Sequence, residues 1–238
     1  MQRVDSSNNY ARELVRDKMP IEGTVIVAEE QTSGRGQRAN LWVTEPKKNL
    51  TCSYILKPVF LAAKDQFMLS TAVALAVFDT ASEFLPTNEV KIKWPNDVLV
   101  DGKKVAGILI ENSLRGMNLE NSIIGIGLNV NQVDFSDGLN ATSIQLHTKQ
   151  EIELEAVLQL LSSKLEKYYL QIREGRFDDV LIQLNEKLFG IGSSMDLSIN
   201  GKEETVSIIG VCHSGELELE HADGTRTLHQ HHEIGWNL

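Results

Sequence analysis

Compact apolar runs alternate with longer amphipathic ones along this chain, and the two periodicities predict different elements. Thr24–Ala28 and Leu50–Leu56 are short and rich in apolar residues, as strands are, with a polar, glycine-containing stretch at 31–40 between them. Residues 64–85 are apolar on most sides around 72–78, which predicts a buried helix that Pro86 stops. Val90–Lys93, 98–100, 105–111 and 122–130 read as strands joined by turns at Asp101-Gly102 and Arg115-Gly116. Turn-linked strands of this kind predict a mostly antiparallel or mixed sheet with helices packed on it.

Thr148 and Glu151 have the spacing of a capping box, and Val157, Leu161, Leu165, Tyr168 and Ile172 follow at helical spacing. A shorter helix is expected over 177–188. Beyond Gly190 and Gly192 the pattern changes to short alternating strands at 195–199, 203–211, 216–220 and 225–229, with turn signals at Asn200-Gly201, Ser214-Gly215 and Asp223-Gly224. That regular spacing predicts a small barrel. The expected class is therefore α/β (α+β): residues 1–189 form a mixed sheet with packed helices, and residues 190–238 a small C-terminal β-barrel. No internal repeat or low-complexity segment interrupts this order.

Composition narrows the function. The chain has 238 residues, 42% of them hydrophobic, which suits one large domain with a small satellite and excludes intrinsic disorder. Its net charge of −10 repels nucleic acid, so any bound anion needs a local cationic cluster. Cys52 and Cys212 belong to no metal-ligand spacing and suit a reducing, cytoplasmic setting, where both are expected as buried strand residues. The polar start carries no signal-peptide core, and the most apolar stretch, 71–78, falls short of a bilayer span, so no membrane partner is expected.

Gly34-Arg35-Gly36-Gln37-Arg38-Ala39 matches a dinucleotide-binding fingerprint, but no helical pattern follows, and no P-loop motif exists. The segment 31–43 still holds two arginines, three amides and no carboxylate. Glycines allow close backbone approach and arginines bind carboxylate or phosphate, although a solvated loop explains the segment equally well. Lys93-Trp94-Pro95-Asn96-Asp97 could place an amide and a carboxylate at a strand end, where Asp97 could hold Mg²⁺ on phosphate; a Pro-Asn-Asp turn beside a buried Trp94 is the plainer reading. Lys103-Lys104 open an apolar strand, and a solvated hairpin explains at least Lys103. Gly125 and Gly127 interrupt another apolar strand, a mark of close approach by a ligand. His229, His231 and His232 are read as a solvated barrel edge, since adjacent strand residues face opposite ways.

Taken together, these segments resemble the biotin protein ligase family: Val4-Asp-Ser-Ser-Asn8, Gln31 before Gly34-Arg-Gly36, Trp42, Lys93-Trp-Pro-Asn-Asp97, Lys104-Val-Ala-Gly-Ile-Leu109 and Gly125-Ile-Gly-Leu-Asn129. The resemblance spans essentially the whole chain, and the combination is far more specific than any one motif. It implies an α/β catalytic domain with an SH3-like C-terminal barrel. It also implies two-step chemistry with ATP and biotin as substrates and Mg²⁺ as the metal. Biotin carboxylate attacks the α-phosphate of ATP to give biotinyl-5′-AMP, and a lysine of a biotin carboxyl carrier domain then takes the biotin.

By the same resemblance, Ser6, Ser7, Asn8 and Gln31 meet the ureido ring, and Gly34, Arg35, Gly36 and Gln37 form the closing loop. Gly107 and Gly127 make room for biotin. Lys104 sits between the biotin carboxylate and the α-phosphate, Lys93 supports the phosphates, and Arg35 acts at the acyl-phosphate. Arg38, Trp42, Asn96 and Asn129 serve the ATP side, and Asp97 is the carboxylate for Mg²⁺. Gln37 departs from an arginine common in the family, and Ala39 and Ser7 replace a glycine and a threonine. The resemblance predicts a monofunctional ligase, with no room before Val4 for a DNA-binding domain, no nucleic-acid partner, and a homodimer left open. Two rival readings are a lipoate–protein ligase, which shares the fold, and a non-catalytic biotin-sensing adaptor. Lys104, Lys93 and Asp97 together argue against the adaptor, since sensing biotin alone needs no phosphate site. An acceptor role fails for want of a Met-Lys-Met sequence.

Overall fold

The computed structural model describes residues 1–37, 41–136 and 138–237. In chain order the elements are β1 (Arg3–Val4), α1 (Ser7–Lys18), β2 (Thr24–Ala28), β3 (Glu30–Gln31), β4 (Leu50–Leu56), α2 (Phe67–Phe84), β5 (Val90–Lys93), β6 (Asp97–Val100), β7 (Lys103–Arg115) and β8 (Asn118–Leu128). They are followed by α3 (Ile144–Thr148), α4 (Leu154–Arg173), α5 (Phe177–Glu186), β9 (Ser194–Ile199), β10 (Lys202–Val211), β11 (Leu217–Glu220), β12 (Arg226–His229) and β13 (Ile234–Trp236).

The central sheet has six strands in the order β2-β4-β8-β7-β6-β5, each antiparallel to its neighbour. The short β1/β3 ribbon pairs in parallel, as do isolated bridges such as Lys104 with Ala141. The hairpin between β6 and β7 turns at Asp101 and Gly102, with φ of 48° and 76°, the left-handed pair that matches strand twist.

Side chains alternate across this sheet and give its two faces different tasks. Leu50, Cys52 and Tyr54 of β4, with Ile124, Ile126 and Leu128 of β8, enter the main core with α2 and α4. The opposite face carries Thr51, Ser53 and Ile55, then Ile123, Gly125 and Gly127, then Gly107, Leu109 and Glu111. The register aligns these as rows: Thr51–Gly127–Gly107, Ser53–Gly125–Leu109 and Ile55–Ile123–Glu111. Ala11 of α1 caps the last row in a small second core with Ile26, Ile55 and Ile123.

The expected buried helix is α2, preceded by a 3-10 turn at Ala63–Asp65, so it starts later than position 64. Met68, Leu69, Ala72, Val73, Ala76 and Val77 are wholly buried, which is why the run is apolar all round. By length and composition the stretch Ala63–Phe84 could cross a membrane, contrary to the expectation from its apolar centre, but it lies between the sheet, α4 and α5. The expected inward face of α4 is buried at every one of its five positions.

Four expectations need correction. Thr148 caps no helix: its hydroxyl donates to Ile144 O at 3.1 Å and closes α3, a helix capped at Ser143, and α4 begins only at Leu154. The strand expected at 122–130 starts earlier and ends at Leu128, so Asn129 lies beyond it. Cys212 is half-buried and just outside β10. His229 is no solvated edge residue, because its ring is buried beside Thr227 Oγ1, at 2.7 Å, and Glu233.

The C-terminal five-stranded sheet, β12-β11-β10-β9-β13, is antiparallel throughout and includes a strand, β13, that the pattern missed. Its two edge strands do not pair with each other among the described residues. It leans on the larger sheet through Trp94, a buried side chain whose indole N–H donates to Gly215 O at 3.0 Å. Trp94→Phe removes that donor and keeps most of the ring's apolar packing, at the cost of a small void. Urea unfolding should show a loss of about 1–2 kcal/mol, and no loss would mean the junction does not depend on it.

Candidate active site

The pocket is built on the bare middle of the sheet face described above. Gly125 admits Asn8: a Cβ there would overlap the Asn8 amide. Gly127 admits Trp42 in the same way, and a Cβ on Gly107 would lie 3.2 Å from both the Trp42 ring and Lys104 Nζ. Here the glycines make room for protein side chains, where sequence reasoning expected them to make room for a ligand. The cavity that remains is partly open and about 50 Å³, space for a few waters. A bicyclic ligand needs the Trp42 indole to move; its Nε1 is buried without a hydrogen-bond partner among the described residues, and Lys104 Nζ lies 5.6 Å from the ring centre.

One wall is the start of α1. Ser6, Ser7 and Asn8 are at most 4% exposed, and the Ser6 side chain makes no cap bond. Gln31 Oε1 accepts the Ser7 N–H at 2.7 Å, which ties β3 to the helix start. Ser53, fully buried on β4, lies 2.7 Å from Ser7 Oγ and 2.6 Å from Asn8 Oδ1. Its single proton serves the Asn8 carbonyl, which cannot donate, so Ser7 donates to Ser53 and keeps lone pairs as an acceptor. Asn8 is spent within the protein: its Nδ2 donates to Glu111 Oε2 at 2.9 Å and Leu109 O at 3.3 Å. It fixes neighbouring groups while Ser7 faces the cavity as an acceptor.

The loop from Gly34 to Trp42 closes at its neck, where Trp42 N donates to Gly34 O at 2.9 Å and Arg35 bridges Leu41. A Cβ on Gly34 would collide with Trp42 O. Arg35, Gly36 and Gln37 line the cavity beside Gln31. Arg38 lies outside the described residues, as does Ala39.

Opposite this loop stands a cationic pair around one acid. Lys104 Nζ is 2.6 Å from Asp97 Oδ1, and Lys93 Nζ is 3.8 Å from Oδ2. Burial pushes the Lys93 ammonium below its ordinary pKa, Asp97 pushes it back up, and Lys104 adds to the lowering. Lys104 lines the cavity; Asp97 and Lys93 stand behind it, and Lys93 also lies 5.4 Å from the Trp236 ring centre of the C-terminal sheet. Asp97 Oδ1 is buried and has no aligned hydrogen-bond donor. Among the described residues no three His, Cys, Asp or Glu side chains form a metal cluster.

Asn96 lines the cavity and is tied to β7 through Ile108 O at 2.8 Å. Asn129 does not reach the cavity: it is buried and donates to Thr142 O at 3.0 Å, which fixes the loop after β8. Lys103 is exposed, as expected. Cys52 lies on the core face with its thiol pushed up to about 12 by burial, so it supplies no nucleophile. Ser53 and Glu111 were not singled out from the sequence. The available signal was a serine inside an apolar strand and a carboxylate two alternations after Gly107.

The model of the Biotin/lipoate A/B protein ligase family matches residues 1–129. A bifunctional ligase/repressor of Bacillus subtilis is 32% identical over 231 residues, covering 95% of this chain and 70% of that protein. A biotin–[acetyl-CoA-carboxylase] ligase of Paracoccus denitrificans is 34% identical over 179 residues, covering 71% and 72%. Among solved structures, a biotin protein ligase from Aquifex aeolicus in complex with biotin and ATP superposes with a TM-score of 0.82 at 24% identity, over 99% of this chain and 96% of that one.

Two substitutions separate the parts of this pocket. Gly125→Ala should displace Asn8 and weaken biotin binding, whereas Gly127→Ala should expel Trp42 and weaken ATP-dependent turnover more than biotin binding. Calorimetric titration of each folded variant checks this, and equal effects at both positions would contradict it.

Proposed function

Because the chain belongs to the Biotin/lipoate A/B protein ligase family, we infer that it is an ATP-dependent biotin–protein ligase. The observation that carries the chemistry is the placing of Lys104 and Arg35 around one small polar cavity in a chain of net charge −10. Joining a carboxylate to a triphosphate brings anions together, and cations held in place offset that repulsion.

In the first step a biotin carboxylate oxygen attacks the α-phosphorus and the bond to the pyrophosphate oxygen breaks. Lys104, at the cavity wall, neutralises the meeting point. Lys93 stands one carboxylate further back and supports the phosphates. Arg35 faces them from the loop. In the second step an acceptor lysine amine attacks the acyl carbon, the acyl–phosphate bond breaks, AMP leaves, and the amine gives up a proton. Gln31, Ser6 and Ser7 orient the ureido ring, with Ser7 as the acceptor for a ureido N–H. Gly34, Gly36 and Gln37, with Arg38, form the loop that keeps water from the anhydride. Trp42 and Asn96 shape the nucleotide side, Gly107 and Gly127 leave room for Trp42 and for biotin, and Asn8 and Asn129 act by holding neighbouring segments.

Asp97 fits a Mg²⁺ that is bound mainly by phosphate oxygens, since it offers one carboxylate, shared with Lys104 at 2.6 Å, and no second acid is clustered with it among the described residues. Such an ion supplies positive charge to the phosphates. The acceptor is a biotin carboxyl carrier domain, in keeping with the carboxylase named for the Paracoccus relative. The biotin reading is favoured over lipoate by that same relative and by the ligase named for biotin in Aquifex.

Purified protein given ATP, Mg²⁺ and equal biotin- and lipoate-acceptor domains should label only the biotin acceptor. Lipoylation instead would overturn the biotin assignment. Lys104→Ala should slow single-turnover adenylate formation by about 10²–10³-fold with biotin affinity changed far less. An unaltered rate would remove Lys104 from the chemistry.

A further inference from the structure

Glu111 lies at the edge of the pocket, on the row of the sheet that α1 covers. Its two oxygens collect three donors, two from α1 and one from the glycine loop. Oε1 is 2.5 Å from Arg12 Nη2 and 3.1 Å from Arg35 Nη1, and Oε2 accepts from Asn8 Nδ2 at 2.9 Å. Arg35 Nη1 also donates to Asn9 Oδ1 at 3.1 Å. Both protons of Nη1 are thus used on Glu111 and Asn9. The Nε and Nη2 edge, the one that grips a carboxylate with two parallel bonds, meets no acceptor among the described residues.

Arg35 is 40% exposed at its side chain and stands between Gly34 and Gly36, where the backbone itself supplies little restraint. An unanchored arginine there loses much rotamer freedom on gripping a ligand. A carboxylate that already fixes one end of the guanidinium removes part of that cost before the ligand arrives. Glu111 is shared by two guanidiniums, so it does not by itself cancel the attraction of Arg35 for an anion.

We propose that Glu111 is a positioning residue for biotin capture, which holds Arg35 by Nη1 with its Nε/Nη2 edge presented to the ligand carboxylate and acyl-phosphate. This rests on the ligase reading above, in which Arg35 meets those groups. Arg12, on α1, shares both acceptors with Arg35, Glu111 Oε1 and, at 3.3 Å, Asn9 Oδ1, but does not line the cavity, and this separates a positioning role from a merely structural one.

Biotin affinity of the full chain by calorimetric titration tests it, with wild type, Arg35→Ala, Glu111→Gln, their double variant and Arg12→Ala, each verified as folded by its thermal melt. Glu111→Gln keeps the shape and an acceptor for Asn8 but loses the charge. It should weaken biotin binding by about five- to tenfold, the modest end for a charge-assisted contact that is partly exposed. The double variant should bind no more weakly than Arg35→Ala alone, and Arg12→Ala should stay within about twofold of wild type. Glu111→Gln without effect, effects that multiply in the double variant, or an Arg12→Ala loss equal to that of Glu111→Gln would each overturn the proposal while leaving Arg35 in place. Arg35→Ala without effect would overturn the Arg35 assignment and this proposal with it.

Discussion

A sheet face that carries almost no side chains at its middle is the constraint on which the rest depends. Gly107 pairs with Gly127 across β7 and β8, and Gly125 lies two residues away on the same face. Glycine weakens a strand by roughly 0.5–1 kcal/mol per position, and a side chain there would fill the pocket. The opposite face compensates: Ile124, Ile126 and Leu128 are wholly or almost wholly buried, each contributing about 1.5–3 kcal/mol. The strand therefore persists through its core face while its other face is stripped for Asn8, Trp42 and a ligand. Period-two alternation makes both tasks possible in one segment.

Charge follows the same division. A chain of net charge −10 gathers Lys93 and Lys104 around one aspartate and Arg12 and Arg35 around one glutamate. The cavity lies beside both, with Lys104 and Arg35 in its lining. Desolvation depresses the Lys93 ammonium, and the neighbouring Asp97 offsets part of that cost. Trp42 completes the arrangement as a cover, its indole filling the glycine floor with Lys104 Nζ 5.6 Å from the ring centre.

Much of this was legible before the structure, for identifiable reasons. The strands around Asp101-Gly102 and the face of α4 follow from periodicity, and the glycines of β8 announced a close approach because they cost strand stability. Which group makes that approach was not legible, since Asn8 and Trp42 arrive from distant segments. Ser53 and Glu111 were overlooked because their importance comes from register: Ser53 lies opposite Gly125, and Glu111 lies opposite Ile123, which itself pairs with Ile55. Asn129 carried a motif signal yet holds Thr142 instead of lining the cavity. The capping box failed because Ser143 starts a helix earlier and Thr148 turns its hydroxyl back to Ile144, so propensity at one site lost to the neighbouring cap.

Exchange of labelled pyrophosphate into ATP reads the acid–phosphate step without any acceptor protein. The arrangement of Lys104 and Arg35 around one cavity predicts exchange that requires biotin and is absent with lipoate or with no acid. Exchange independent of biotin, or none from folded protein saturated with biotin and Mg²⁺-ATP, would contradict the assignment of this cavity to acyl-adenylate formation.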